Sequence, residues 1–169
     1  MKNAEVHSCY FESPAGNLCV SENGKGICAL FFCGKAEEPG NEFVEKTLLL
    51  EQAVGELQEY FAGKRESFQL PLSLHGTDFQ MRVWKELMKI PYGETRSYKQ
   101  IAEAVGNPRA CRAVGMANNR NPVGIIVPCH RVIGKNGGLT GYAGGLEAKR
   151  KLLELEKDTA EGRRKERLL

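Results

Sequence analysis

Long apolar runs are missing from these 169 residues. No stretch approaches the roughly 20 consecutive apolar residues of a membrane span. The amino-terminal MKNAEVHSCYFESP also lacks the apolar core of a secretory signal, so the expectation is a cytoplasmic protein with no membrane partner. The six cysteines, at positions 9, 19, 28, 33, 111 and 129, contain no C-x-x-C pair and no regular framework. That spacing argues against a disulfide scaffold and against the usual zinc modules, and in a reducing compartment it predicts free thiols. There is no internal repeat, no low-complexity segment and no coiled-coil or other obvious dimer helix, and a monomer is expected.

What is present is a core-forming composition with 41% hydrophobic residues and a lopsided charge distribution. The net charge is only +3. Residues 1–80 hold 6 Lys/Arg against 12 Asp/Glu, residues 81–151 hold 13 against 4, and the last 18 residues hold 5 of each. A basic half beside an acidic half points to a polyanion as the partner of the middle of the chain, with an unliganded solvated basic face as the alternative.

The order of elements predicts an α+β protein. A small α/β amino-terminal domain with an antiparallel sheet, residues 1–75, precedes a mainly helical domain, 76–158, and a charged tail, 159–169. Short β-prone runs, VHSCYFES, LCVSE and ICALFFC, alternate with the turn clusters PAGN and NGKG, the pattern of a meander. From Glu42 to Phe61 the apolar residues recur mostly at helical spacing, and Gly63 ends the run. ESFQLPLSL, 66–74, reads as one more extended segment and a linker. Thr77 with Gln80 and Ser97 with Gln100 form two capping boxes ahead of apolar helical runs. The first helix stops at Pro91-Tyr92-Gly93 and the second at Gly106. Asn107 and Pro108 then open a further helix through Arg109, Ala110, Cys111, Arg112, Ala113, Val114, Gly115 and Met116. Two short helices joined by a Gly-Asn turn make a helix-turn-helix, and small residues between the arginines let the second helix approach DNA closely. The tail KDTAEGRRKERLL is expected to fray.

The segment NPVGIIVPCHRVIG, 121–134, carries the chemistry. A buried-looking apolar run ends at Pro128 and presents Cys129 beside His130. A thiol becomes a useful nucleophile when a nearby base or cation favours the thiolate, and His130 and Arg131 are the candidates. On the final helix, Leu152, Leu153 and Leu155 define an inward arc that contains Glu156 and excludes Glu154. A buried Glu156 needs a partner, and a histidine nitrogen suits it. The result is a Cys129–His130–Glu156 relay.

PCHRVIG, preceded by NP and followed by GLTGYAGGLEAKRKLLELE, together with FQMRVWKELMKIPYGETRSYKQIA, resembles the active-site region of the O6-alkylguanine-DNA alkyltransferases, also called methylated-DNA–protein-cysteine methyltransferases. The likeness runs from about Phe79 to Glu156. The amino-terminal SPAGNLCVSENGKGICAL is similar more weakly. The resemblance implies repair by direct reversal: an alkyl group passes irreversibly from O6-alkylguanine in double-stranded DNA to Cys129, one turnover per molecule, with the base flipped out and no cofactor. It implies that His130 and Glu156 activate the thiol, that Asn121 braces the turn behind the pocket, and that the Tyr98 hydroxyl bonds the flipped base. Arg112 is the implied finger that replaces the extruded nucleotide. Tyr142, Ala143 and Gly144 close over the base, and main-chain groups of Cys129 and Val132 read its edge. Ser97, Arg109, Ala110, Ala113, Gly115 and Arg120 join Arg112 on the DNA-facing surface. Ala143 stands where relatives carry serine, which uses mainly its backbone amide. Some family members hold zinc in the amino-terminal domain, but His7, Cys9, Cys19, Cys28 and Cys33 lack a standard ligand spacing, and no metal is expected. Cys111 reads as a packing residue.

Two other readings use the same residues. A DNA-binding regulator would employ the helix-turn-helix with a redox-sensing cysteine. A thiol hydrolase built on Cys–His–Glu would turn over and ignore DNA. Relatives that only bind the lesion carry tryptophan at the cysteine position, and this chain has Cys129.

Overall fold

The computed structural model describes residues 4–34 and 47–169. The described residues divide between Leu74 and His75 into two compact units.

The first unit is a meander of β1 (His7–Ser13), β2 (Gly16–Glu22) and β3 (Ile27–Phe32), antiparallel in the order β1-β2-β3, packed by helix α1 (Leu48–Phe61). Central β2 is buried from Leu18 to Glu22, as a strand covered on both faces must be. Helix α1 turns Leu50, Ala53, Leu57 and Tyr60 inward, the 3-4-3 spacing of one helical face. It begins at Leu48, where the Thr47 hydroxyl accepts the Leu50 N–H, whereas the sequence pattern placed its start at Glu42. A side-chain cap at 47 sets the boundary, and residues 42–46 lie outside the described residues. The 66–74 segment meets the sheet at one parallel bridge, Leu72 to Ile27. Gly26 is required there, because a Cβ would sit 2.7 Å from the Pro71 carbonyl oxygen. Facing pairs are Cys9 with Val20 and Tyr10 with Cys19, so Cys9 and Cys19 point to opposite faces of the sheet. Among the described residues, no three His, Cys, Asp or Glu side chains are grouped to hold a metal.

The second unit holds α2 (Asp78–Leu87), β4 (Arg96–Ser97), α3 (Tyr98–Ala104), α4 (Cys111–Asn119), a 3-10 turn (Cys129–Arg131), β5 (Val132–Ile133) and α5 (Leu146–Arg167). Both capping boxes form in full. Helices α2, α3 and α4 pack together, and the buried Trp84 indole donates to the Ala117 carbonyl at 2.9 Å. Strands β4 and β5 pair in parallel, Arg96 with Val132 and Ser97 with Ile133. This pairing ties the start of α3 to the segment that follows the 3-10 turn.

Two boundaries differ from the sequence expectation. Residues 107–110 close a turn in which the Ala110 N–H donates to the Asn107 carbonyl at 3.0 Å. Helix α4 therefore starts at Cys111, with Ala110 as an N-cap that makes no side-chain bond, and Arg109 and Ala110 precede the helix. At the other end α5 runs on through Arg167, so the tail expected to fray continues the helix. Ala160 packs on Gly93 there. A Cβ at Gly93 would lie 2.9 Å from the Ala160 Cβ, a tertiary contact that supports the extra turns.

Candidate active site

Helix α4 has two faces with different tasks. Val114, Ala117 and Asn118 point inward, while Arg112, Ala113, Met116, Asn119 and Arg120 are exposed. Gly115 and Ala110 are half-buried, Arg109 is exposed in the turn before the helix, and Ser97 caps α3 with its hydroxyl accepting the Gln100 N–H. On the inner face, the Asn118 amide donates to the Cys129 carbonyl at 3.2 Å. One helix thickness, about 10 Å, thus separates the arginine-bearing surface from the turn that carries the cysteine.

The chain after α4 builds that turn. Asn121 accepts the Val123 N–H through Oδ1 at 3.0 Å and donates through Nδ2 to the Val127 carbonyl at 2.7 Å, which pins the apolar run Val123, Ile125 and Val127 in the core. Ile125 adopts φ +69, a left-handed conformation that a β-branched residue reaches only under tertiary constraint. The run ends at the 3-10 turn, where the Cys129 N–H donates to the Val127 carbonyl and the thiol is buried.

Below the turn lies a fully buried ionic cluster. Glu156 lies 2.6 Å from His130 Nε2 through Oε2 and accepts Arg131 through both oxygens, at 2.7 Å from Nε and 3.1 Å from Nη2. The Gly93 N–H adds a fourth bond at 3.3 Å. Arg131 also donates to the Ile90 carbonyl at 2.7 Å and lies over the Tyr92 ring. Burial opposes ionisation of Glu156, but His130 and Arg131 outweigh it and hold the carboxyl well below its ordinary range. Burial pushes the His130 pKa below its ordinary value against the pull of Glu156. The pair is therefore a carboxylate and a neutral imidazole whose hydrogen sits on Nε2, leaving the Nδ1 lone pair as a base.

The cysteine departs from the simplest expectation. Burial raises the Cys129 thiol above its ordinary value, and a hydrogen bond from Asn121, the charge of Lys149 and two backbone N–H groups only partly offset it. Arg131, named with His130 as a thiolate promoter, is committed to Glu156 instead. Cys129 is therefore a neutral thiol, and any reaction at its sulfur would have to carry the proton away. Tyr142 bonds the sulfur, and burial followed by Cys129 raises its pKa strongly.

The loop over the sulfur is tethered at one carbonyl. Thr140 accepts from the Tyr98 hydroxyl at 3.1 Å and from Lys149 Nζ at 3.0 Å, and Lys149 also donates to the Val132 carbonyl at 2.6 Å. The tight turn Tyr142 to Gly145, closed by a 2.9 Å bond, leaves Ala143 exposed and Gly144 half-buried. The Val132 and Cys129 carbonyls each already accept one side-chain donor, leaving a second lone pair for a ligand.

Two residues and one pairing of this site escaped the sequence reading. Lys149 is fully buried, and it lies seven positions before Glu156, within about 20° on the helical wheel. The arithmetic that places Glu156 inside also places Lys149 there. Asn118 belongs to the stripe Val114, Ala117 and Asn118, and the pairing of Arg131 with Glu156 had no local signal.

Comparison with known proteins agrees with this geometry. Residues 78–158 match the family model of the 6-O-methylguanine DNA methyltransferase DNA binding domain, and residues 6–74 match the ribonuclease-like domain of the same family. A methylated-DNA–protein-cysteine methyltransferase of Methanosarcina barkeri is 54% identical over 149 residues, covering 87% of this chain and 94% of its own. The crystal structure of Mycobacterium tuberculosis O6-methylguanine methyltransferase superposes with a TM-score of 0.80 at 48% identity, covering 92% of this chain and 94% of the other. A Mycobacterium tuberculosis structure solved in complex with DNA gives 0.81 at 48% identity, covering 90% and 94%. With both of its domains matched and relatives about half identical over most of either chain, the chain belongs to the methylated-DNA–protein-cysteine methyltransferase family.

Proposed function

We propose that this protein repairs DNA by moving an alkyl group from the O6 oxygen of guanine in duplex DNA to the Cys129 sulfur, once per molecule. The observation that carries this reading is the buried Cys129–His130–Glu156 cluster set one helix behind an exposed arginine face. Residues 1–75 form one domain, residues 76–158 hold the DNA face and the chemistry, and 159–169 form a charged extension.

The steps follow from the residues. Phosphate contacts from Arg109, Arg120 and the Ser97 hydroxyl hold the duplex against Ala110, Ala113 and Gly115, whose small side chains let the backbone come close. The target carbon sits on a base edge inside the stack, so the nucleotide has to rotate out, and Arg112 fills the gap. The base enters under Tyr142, Ala143 and Gly144, and the Val132 and Cys129 main chain bonds its edge. As His130 Nδ1 takes the thiol proton, directly or across one water, the sulfur attacks the saturated carbon, the S–C bond forms and the C–O bond breaks. Its electron pair passes to the guanine, where the Tyr98 hydroxyl, turning from the Thr140 carbonyl to which it donates without a base bound, stabilises the developing charge. Asn121 holds the turn in place throughout. The thioether product has no easy leaving group, which sets the turnover at one. The chain works as a monomer in the reducing cytoplasm, a setting that six free cysteines suit.

Incubation with a duplex containing one O6-methylguanine, followed by intact-protein mass spectrometry and peptide mapping, tests this. The expected result is a gain of one methylene, at most stoichiometric and confined to Cys129. A repaired base with no mass gain would mean a turning-over enzyme, and an intact base with no gain a DNA-binding regulator.

A further inference from the structure

A large apolar side chain stands in the middle of the arginine face of α4. Met116 is 61% exposed, more than Met88 at 46% or Leu146 at 50% in the same unit. Isolated exposed apolar residues are ordinary on a protein surface, so it is the position of this one that carries meaning. At about 100° per residue, Arg112, Met116 and Arg120 lie about 40° apart on one arc of the helix, and Val114 and Asn118 point into the core from the opposite side. The pocket lies beyond the other edge of that arc. Gly115 faces the Tyr98 ring, 3.9 Å from where its Cβ would be, and a Cβ on Gly141 would lie 3.4 Å from the Asn119 amide. Gly115 and Asn119 both fall on the Arg112 side of Met116, so Arg112 stands between Met116 and the loop over Cys129. An uncharged thioether flanked by two guanidinium groups adds nothing to phosphate binding, and water is a poor partner for it.

We propose that Met116 is a further DNA-contacting residue, an apolar wedge that packs into the opened duplex on the side of Arg112 away from the pocket. The inference rests on the reading of Arg112 as the residue that fills the gap. When the base leaves toward Tyr142, the step beside the gap loses its stacking. Proteins that hold such a step open insert an apolar side chain into it, methionine among them. Met116 has the shape for this, being unbranched, with three rotatable bonds and a polarizable sulfur. It lies about 6 Å from Arg112 along the helix axis, within about two base steps of the gap. Charge decides that the occupant is DNA. Arg109, Arg112 and Arg120 are exposed around Met116, and α4 carries no carboxylate.

Single-turnover transfer from saturating duplex O6-methylguanine and from free O6-benzylguanine is measured for wild type, Met116→Ala, Met116→Gln and Met116→Leu, with Arg112→Ala beside them. M116A and M116Q are expected to lower the limiting duplex rate ~5- to 10-fold, with transfer from benzylguanine near wild type. M116L, apolar and of similar volume, should keep the wild-type rate. The slope of duplex affinity against salt should stay the same in all three, because a thioether displaces no counterion. Duplex DNA should also shield Met116, and not Met88, from oxidation by dilute hydrogen peroxide, read by peptide mass spectrometry. Unchanged duplex rates in M116A and M116Q, with R112A separating the two substrates, would overturn the role of Met116 and leave the finger standing. R112A slowing both substrates alike would overturn the finger, and with it the geometry on which the wedge depends. Shielding of Met116 that follows protein concentration without DNA would assign the side chain to a contact between copies and overturn the wedge.

Discussion

Each half of this chain buries a glutamate on a helix, and the two are held in different ways. Glu56 of α1 is 5% exposed. It accepts the Gln69 N–H at 2.7 Å and the Gln52 side chain at 2.9 Å, with Arg65 3.2 Å away. Its partners are one backbone group and two polar side chains near the surface, so it ties the 66–74 segment to α1. Glu156 of α5 is 1% exposed and gathers a histidine, an arginine and a backbone N–H. Its arginine is buried too, and its histidine follows Cys129 in the chain. A buried carboxylate fastens a segment in one place and holds a histidine beside a buried thiol in the other, and the difference lies in what its partners touch. The cysteines divide in the same way. Cys9, Cys19 and Cys33 are buried in the first unit, where Cys9 and Cys19 act as small apolar strand residues, whereas Cys129 is buried against ionisable groups.

The largest test of this contrast pairs Glu156→Gln with Glu56→Gln. E156Q leaves Arg131 buried without its counter-charge and is expected to cost about 3–5 kcal/mol of stability. It also removes what pulls the His130 pKa up, so the imidazole becomes a poorer base. The transfer rate should fall ~100-fold, with half-maximal thiol alkylation moved to higher pH. E56Q keeps an oxygen for the Gln69 N–H and loses a part-exposed ion pair, about 1 kcal/mol, with transfer unchanged. Equal transfer rates in the two variants would remove Glu156 from the relay. Acid probes the same cluster in the wild type. The His130 and Glu156 values are both depressed below the ordinary 6.5 and 4.5. The folded chain therefore binds fewer protons than the unfolded one at each site. Stability is full above pH 6.5, and Tm should fall first as His130 protonates and again below pH 4.5 as Glu156 does.

A second test compares the outer face of α4 with the pocket behind it. Arg112→Ala is expected to slow transfer from duplex DNA ~10 to 100-fold, since only the duplex requires extrusion of the base. It should leave transfer from free O6-benzylguanine near wild type. Equal slowing with both substrates would place Arg112 in the pocket rather than in the stack.

These contrasts also show what could be read from residues alone. The meander, both capping boxes and the inward position of Glu156 were legible, because strand alternation, caps and helical arcs are local properties. Lys149 was legible by the same arithmetic and was missed, because a lysine is assigned to solvent until its acceptors are seen. Those acceptors, the Val132 and Thr140 carbonyls, come from distant turns. The union of Arg131 with Glu156 also spans 25 positions and has no periodicity to reveal it. The start of α4 was misplaced because Asn107-Pro108 suits a tight turn as well as a helix entrance. The helical state of 159–167 depends on packing such as that of Ala160 on Gly93, not on the charged composition of the segment.

The smallest expected effect separates two helix caps of one design. Thr47 caps α1 and Ser97 caps α3, each accepting the backbone N–H three residues on, at 3.2 and 3.1 Å. Replacing either with alanine should lower stability by about 1 kcal/mol, measured by denaturant unfolding. Beyond stability the two should part. The Ser97 oxygen accepts from Gln100, yet its hydroxyl hydrogen remains able to donate to a phosphate. S97A should therefore weaken duplex binding a few-fold and lower the slope of affinity against salt by less than one phosphate contact, because a neutral donor releases no counterion. T47A should change neither. If S97A and T47A lose stability alike and both leave DNA affinity alone, Ser97 is a cap and nothing more. The DNA face then narrows to Arg109 and the exposed side of α4.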